Sequence, residues 1–96
     1  MDLRNKNQQT IFKVTLEGDT LNVLFGEPAT TEELTQAAVD QWSPEALAHL
    51  AGKDIQVYGA LPVILGALLG ARLKNLSKSL SFYVPREQNY VTIPLP

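Results

Sequence analysis

The sequence predicts a small α/β domain with a mixed β-sheet, in the element order ββααβαββ. Short runs of alternating apolar and polar residues predict the strands, and glycine or proline at their ends predicts the turns. A strand, a helix and a second strand follow one another in the second half of the chain. The 96 residues suffice for one modest core. We therefore expect a single domain over residues 11–96, preceded by a flexible N-terminal arm over residues 1–10.

A β-hairpin and two helices are predicted for the first half. Residues 11–17 and 20–25 alternate in polarity around a Gly-Asp turn signal, which is typical of a hairpin. Thr30 or Thr31 can cap a helix that runs to about residue 40. Ser43 can cap a second helix, which is expected to end near Gly52 after about two turns.

One parallel βαβ crossover is predicted for the second half. Residues 54–58 and 80–84 are the predicted strands, and residues 62–74 are the helix between them. Such a unit is right-handed and pairs its two strands in parallel. A last strand over residues 90–93 follows a turn and forms a second hairpin. The two hairpins then supply the antiparallel edges of the sheet.

The glycine turn between the first of these strands and its helix is the predicted anion site. Gly59 is expected to turn the backbone sharply and to leave room for a ligand, and Pro62 to occupy the first helical position. The N–H groups of the first helical turn can then bind an anion. The alternative is an ordinary βα turn, whose glycine serves backbone geometry alone. Ligand-binding candidates at the carboxyl ends of the parallel strands are Tyr58, Gly59, Ala60, Leu61, Pro62, Pro85 and Arg86.

Charge divides unevenly between the two halves. Residues 1–51 hold eight acidic and three basic residues, which gives a net charge of −5. Residues 52–96 hold two acidic and five basic residues, which gives a net charge of +3. Basic residues beside a helix N-terminus favour a phosphorylated ligand, and Arg86 is the main candidate. For Lys74 and Lys78 the alternative is interaction with a helix C-terminus. The net charge of −2 argues against a general nucleic-acid binder, and we expect no DNA partner.

The chain offers few catalytic groups. His49 is the only histidine and is expected on the surface, and there is no cysteine, so the pattern predicts neither a metal cluster nor a thiolate site. No Ser/His/Asp arrangement can be argued. Tyr58 and Tyr83 lie at the ends of the parallel strands, where they either stack on a base or pack in the core. We therefore predict no catalytic residue and no metal ligand.

Small residues line one face of the helix predicted over residues 62–74. Gly66 and Gly70 are four apart, each followed by an alanine, so this face can pack closely on the sheet or against a second copy. The apolar run over residues 61–71 is too short to span a bilayer, and we expect no membrane partner. The lack of cysteine is compatible with the cytoplasm, where we place the protein.

Three segments resemble one protein family. Val-Tyr-Gly-Ala-Leu-Pro-Val-Ile-Leu-Gly-Ala-Leu-Leu-Gly-Ala begins at Val57, Leu-Ser-Phe-Tyr-Val-Pro-Arg begins at Leu80, and a Tyr-Val-Thr-Ile strand follows. Together with the opening hairpin they resemble the small CRISPR-associated metal-dependent ring nucleases of type III systems, over most of the chain but through short motifs. The resemblance implies a dimeric domain that binds cyclic tetra-adenylate, a CRISPR second messenger, between stacked dimers and cleaves it with manganese. The family is also associated with RNA deadenylation.

Three positions depart from the family pattern. Ala71 stands where the family has a metal-linked histidine, Val84 where its Asp-Pro-Arg begins, and Ala60 where an arginine follows the turn glycine. Alanine and valine side chains neither ligate a metal nor transfer a proton. The resemblance therefore implies that binding of a cyclic oligoadenylate is retained without the family's manganese site. It favours a non-catalytic sensor, a sequestering protein or a subunit of a CRISPR effector complex.

Two alternative functions stay open at this point. An active ring nuclease or RNA deadenylase would need shifted ligands, such as His49 or Asp54. A structural protein-interaction module would bind no nucleotide. Self-association as a dimer or tetramer is expected, because a small domain gains buried area from it and a ring-shaped ligand is best matched by identical subunits.

Overall fold

A six-stranded β-sheet runs through the molecule in the strand order β1-β2-β3-β4-β5-β6. The computed structural model describes residues 1–95. Its elements are β1 (Leu3–Arg4), β2 (Thr10–Glu17), β3 (Thr20–Phe25), α1 (Thr31–Gln41), a 3-10 helix (Ala48–Leu50), β4 (Asp54–Tyr58), α2 (Val63–Leu73), β5 (Ser79–Val84) and β6 (Asn89–Pro94). The predicted α/β class with a mixed sheet is confirmed. None of the helices within this part of the chain has the length and apolar character needed to cross a membrane.

Two parallel crossovers form the centre of the sheet, where the sequence predicted one. β4 pairs in parallel with β5, as predicted, and it also pairs in parallel with β3. The first crossover therefore runs from β3 through α1 to β4, and the second from β4 through α2 to β5. The antiparallel pairs of β2 with β3 and of β5 with β6 complete the expected hairpins.

The N-terminal residues pack on the domain instead of forming the expected flexible arm. Leu3 is fully buried and pairs with Phe12, which makes β1 an additional edge strand. The Trp42 indole donates a hydrogen bond to the Met1 carbonyl oxygen at 3.0 Å, and the Asp2 carboxylate accepts one from the Val14 N–H at 2.9 Å. These contacts join the first four residues to both β2 and the end of α1.

The first predicted helix is confirmed, and the second is reduced to a short 3-10 helix. Thr30 caps α1 in a reciprocal capping box with Glu33, a pairing that satisfies two backbone donors. Ser43 accepts a hydrogen bond from the Ala46 N–H at 3.2 Å, as an N-cap would, but no α-helix follows. Leu47 and Leu50 are both fully buried. Residues three apart share one face of either helix type, so a single 3-10 turn is sufficient to bury both leucines.

Both α-helices lie on one face of the sheet. α1 contacts α2, and the buried residues of α2 are Leu65, Leu69 and Leu73. In β4, Ile55 and Val57 are buried towards the helices, whereas the residues between and beside them are more exposed. Because side chains alternate along a strand, the other face of the sheet carries a separate set of residues. No helix covers that open face within residues 1–95.

Candidate functional site

A row of side chains crosses the open face of the sheet near the carboxyl ends of the parallel strands. Thr15 pairs with Asn22, and Asn22 pairs with Tyr58. Val57 pairs with Phe82, so Tyr58 lies beside Tyr83, which pairs in turn with Tyr90. Paired residues point to the same face of a sheet, and neighbouring strands are about 4.8 Å apart. Three adjacent strands therefore present three tyrosines side by side.

The three rings contact one another and remain accessible to solvent. The Tyr58 and Tyr83 ring centroids are 4.8 Å apart with the planes tilted by 47°. The Tyr83 and Tyr90 centroids are 5.3 Å apart in an edge-to-face arrangement. Tyr58 is 48% exposed, and the other two are half-buried. We call these residues the tyrosine platform. The sequence left two roles open for Tyr58 and Tyr83, stacking on a base and packing in the core. Their exposure shows that core packing is wrong.

Tyr90 and Asn22 belong to this row, although the sequence did not single them out. Tyr90 could have been found by closing the last hairpin in register, because Val84 pairs with Asn89 and places Tyr90 opposite Tyr83. Asn22 could not, since its position beside Tyr58 depends on the parallel pairing of β3 with β4. A single strand sequence carries no information about its parallel neighbour.

Gly59 has the sharp backbone conformation that was expected, but the space beside it is filled. Its φ of +118° lies in a region that L side chains rarely adopt. A Cβ at this position would overlap the Val23 carbonyl oxygen of β3. The glycine therefore admits a neighbouring strand of the same chain and leaves no room for a ligand at that point. This corrects the expected role of Gly59.

Helix α2 begins one residue later than predicted. Pro62 has φ −56° and ψ 141° and is the N-cap of α2, so the first helical residue is Val63. No side chain caps this N-terminus. Ala60 is exposed, whereas Leu61 is half-buried and packs against the core. Of the residues between Tyr58 and Val63, Leu61 thus has a packing role.

Arg86 lies on the tight turn between β5 and β6, directly beyond the tyrosine platform. The Glu87 N–H donates to the Val84 carbonyl at 3.0 Å, and the Gln88 N–H donates to the Pro85 carbonyl at 3.2 Å. Pro85 and Arg86 are both exposed. Within residues 1–95 the Arg86 guanidinium forms neither an ion pair nor a hydrogen bond. The structure therefore places Tyr58, Pro85 and Arg86 at one end of the sheet.

The other basic residues of the second half lie away from this end. Lys53 precedes β4 and forms an ion pair of 3.7 Å with Asp19. Lys78 precedes β5, and Lys74 is the C-cap of α2, both at the amino ends of the parallel strands. Arg72 donates to the Val39 carbonyl of α1 at 3.3 Å. The positive cluster considered for the α2 N-terminus is therefore not assembled.

The positions that correspond to the family's catalytic residues lie far apart in one copy of the chain. Val84 is the last residue of β5, at the carboxyl end of the sheet. Ala71 is near the end of α2, about 12 Å along the helix axis from the start of α2. Because α2 returns towards the amino ends of the strands, these two positions are at opposite ends of the second crossover.

The alternative ligands are also distant from the tyrosine platform. Asp54 is the first residue of β4 and Tyr58 the last, so they are about 13 Å apart along the strand. The Asp54 carboxylate accepts a hydrogen bond from the Ser79 hydroxyl at 2.8 Å. His49 is exposed on the 3-10 helix that precedes β4. No group of three His, Cys, Asp or Glu suited to a metal ion is present among residues 1–95.

An apolar groove of about 500 Å³ separates α2 from the edge strand β6. The small residues Gly66, Ala67, Gly70 and Ala71 form its helical wall, and Leu80, Phe82 and Ile93 lie along the sheet. A Cβ on Gly70 would lie 3.9 Å from Leu80, an ordinary contact distance. Val91 and Ile93 of β6 are each 50% exposed, since α2 does not reach them. The small-residue face thus packs on the sheet and borders an exposed apolar strip.

Comparison of the chain with protein-family models, with curated proteins and with solved structures gives no match. The resemblance to ring nucleases therefore remains a prediction from the residues quoted above.

Proposed function

We propose that this protein is a non-catalytic receptor for a cyclic oligoadenylate, most favourably cyclic tetra-adenylate, in cytoplasmic type III CRISPR defence. The observation that carries this proposal is the tyrosine platform, three contacting and accessible rings at the carboxyl ends of the parallel strands. Ligands of open α/β sheets bind at this end of the strands. The motifs that begin at Val57 and Leu80, on which the family resemblance is based, flank the same place.

Adenine is a suitable partner for the tyrosine platform. Stacking of a base on an aromatic side chain contributes about 1–3 kcal/mol. The other residues of the open face beside the platform are mostly neutral amides and hydroxyls, which tolerate a flat polar heterocycle. Arg86 and the uncapped N-terminus of α2 can bind the phosphates, since both offer donors at the same end of the sheet.

A receptor without turnover fits the residues at the family's catalytic positions. Ala71 and Val84 have hydrocarbon side chains, and they lie at opposite ends of the second crossover. Of the polar groups that could replace them, Asp54 is about 13 Å from Tyr58 along β4, and His49 lies on the 3-10 helix before that strand. We therefore assign to the protein binding of the messenger, as a sensor, a sequestering protein or a subunit of a CRISPR effector complex.

The proposed receptor acts as a homodimer joined through β6. Three rings span about 10 Å across the sheet, enough for one or two bases, whereas the cyclic tetramer has four. β6 is an edge strand without charged side chains, its Val91 and Ile93 are half-exposed, and Pro94 confines the pairing to residues 89–93. Antiparallel pairing of β6 with a second copy would cover these residues. It would also place the two tyrosine platforms on one continuous open face.

Light scattering of the wild type and of Ile93→Lys tests this dimer. We expect a dimer for the wild type and a monomer for the variant, because a charged lysine on an edge strand opposes pairing with a second strand. Val39→Lys, on the exposed side of α1, is the matched control and should remain dimeric. A monomeric wild type, with and without cyclic tetra-adenylate, would exclude the dimer.

Calorimetric titration with cyclic tri-, tetra- and hexa-adenylate tests the function itself. We expect saturable binding of the tetramer with one ring per two chains. The same samples are then analysed for cleaved product with added manganese and with a chelator, and we expect intact ring in both. Absence of binding to all three rings would leave the protein-interaction module as the better function. Manganese-dependent cleavage that is lost in His49→Ala would favour the active nuclease.

A further inference from the structure

We infer that Asn22 selects adenine over other bases at the tyrosine platform; this inference rests on the proposed function. Asn22 lies on β3 and pairs directly with Tyr58 on β4. Parallel partners point to the same face, and neighbouring strands are about 4.8 Å apart, so the Asn22 and Tyr58 side chains leave adjacent strands on the open face. A base stacked on Tyr58 therefore has the Asn22 amide next to its edge.

The chemistry of an asparagine side chain matches adenine. Its carbonyl oxygen can accept a hydrogen bond from the N6 amino group while its NH₂ group donates to N7, which is the bidentate pairing that asparagine makes with adenine in nucleic-acid recognition. A 6-oxo purine such as hypoxanthine presents an acceptor in place of the N6 donor. The same amide geometry therefore rejects it.

Asn22 differs in availability from the polar residues of the neighbouring row on the open face. In the next row of the sheet, the Thr20 hydroxyl donates to the Gln56 side-chain oxygen at 3.2 Å, and the Ser81 and Thr92 hydroxyls are 2.7 Å apart and hydrogen-bonded. The Asn22 side chain forms no hydrogen bond to any residue within the described range. It is also half-buried, so part of the side chain is open to a ligand. An amide without a partner in the chain is free to bind the edge of a base.

The test measures binding of cyclic tetra-adenylate and cyclic tetra-inosinate to the wild type, Asn22→Ala and Asn22→Val. We expect the wild type to prefer the adenylate ring by about 5- to 150-fold. Both variants should lose most of that preference, because affinity for the adenylate ring falls while affinity for the inosinate ring changes by less than about twofold. Valine is included because it favours a strand and maintains the fold if alanine weakens β3. Gln56→Ala is the matched control and should retain the wild-type preference.

The outcomes separate this inference from the function on which it rests. A wild type that binds neither ring would overturn both. A wild type that binds adenylate, with variants that keep the full preference, would overturn the role of Asn22 alone. Equal loss of affinity for the two rings in folded Asn22→Ala and Asn22→Val would also overturn it, since it would assign to Asn22 a contribution to the shape of the site without base selection.

Discussion

The two ends of the parallel strands contrast in how their polar groups are used. At the amino ends, four polar side chains are bonded in pairs: Lys53 pairs with Asp19, and Asp54 accepts a hydrogen bond from Ser79. At the carboxyl ends, Tyr58 is about half exposed, and the Arg86 guanidinium has no partner among residues 1–95. Both ends lie on the same three central strands, so the fold accounts for the position of these groups but not for this difference.

The contrast separates groups that stabilise the domain from groups that are available to a ligand. A polar group that is hydrogen-bonded within the chain must break that bond before it can bind a ligand. The broken bond offsets most of the free energy gained from the ligand. An exposed ring or guanidinium gives up only its contacts with water when it binds a ligand. Substitutions at the amino ends should therefore affect stability, and substitutions of the platform and of Arg86 should affect binding.

Gly59 is the exception at the carboxyl end, and its substitution should have the largest effect. In Gly59→Ala the new Cβ would overlap the Val23 carbonyl, and the φ of +118° would be strained. We expect a loss of at least about 2 kcal/mol of unfolding free energy, or roughly 10 °C in Tm, measured by urea and thermal denaturation. Gly70→Ala is the matched control. It meets no close atom and should be neutral or stabilising by up to about 1 kcal/mol. Equal stability of the two variants would show that β3 does not restrict Gly59.

Removal of two rings from the platform should have the next largest effect. Tyr58→Ala combined with Tyr83→Ala removes two stacking surfaces, each contributing about 1–3 kcal/mol, so the affinity for cyclic tetra-adenylate should fall by at least about tenfold. The double Tyr→Phe variant keeps the rings and loses only the hydroxyls. It should bind within about threefold of the wild type if stacking dominates. A Phe variant as weak as the Ala variant would assign the binding to the hydroxyls.

Arg86→Ala should weaken binding of the same ligand by about tenfold or more. A charge-assisted hydrogen bond to a phosphate contributes about 1.5–3 kcal/mol, and the guanidinium loses no partner in the domain. Calorimetric titration at two salt concentrations checks this, and the difference from wild type should shrink at the higher one because of screening. Lys78→Ala removes an exposed positive charge at the amino ends and is the matched control. If both variants weaken binding equally, the effect comes from overall charge.

The smallest effect is expected for Lys53→Ala, at the amino ends of the strands. Its ion pair with Asp19 is substantially exposed on both sides, with 41% and 56% of the side chains accessible, so it contributes no more than about 1 kcal/mol to stability. Denaturation in low and high salt measures this loss, which should decrease with salt. Ligand affinity should stay unchanged. A larger effect on ligand affinity than on stability would contradict the division of the strands into stabilising amino ends and ligand-binding carboxyl ends.

The strands and α-helices were predictable because local rules specify them. Alternation located β2 to β6, and the candidate caps Thr30 and Thr31 located the start of α1 to within one residue. The second crossover was missed, since the pairing of β3 with β4 is a tertiary contact. The predicted second α-helix is a short 3-10 helix in the structure, although Ser43 accepts the expected capping hydrogen bond from the Ala46 N–H.

The sequence predicted at which end of the sheet the candidate site lies, but it did not predict all of the residues that form it. The rule that ligands bind beyond the carboxyl ends of parallel strands selected Tyr58 and Arg86. The sequence could not show whether the tyrosines face the helices or the open side, because this depends on which face the two crossovers cover. It also could not show that the Val23 carbonyl fills the space beside Gly59, since that contact joins residues far apart in the chain.

Mapping of amide chemical shifts in ¹⁵N-labelled protein during titration with cyclic tetra-adenylate tests the contrast most directly. We expect the largest changes at Asn22, Tyr58, Tyr83 and Tyr90 and on the turn that holds Arg86, with little change at Asp19, Lys53 and Asp54. Changes centred on the amino ends of the strands, or no change at saturating ligand, would contradict the assignment of binding to the tyrosine platform.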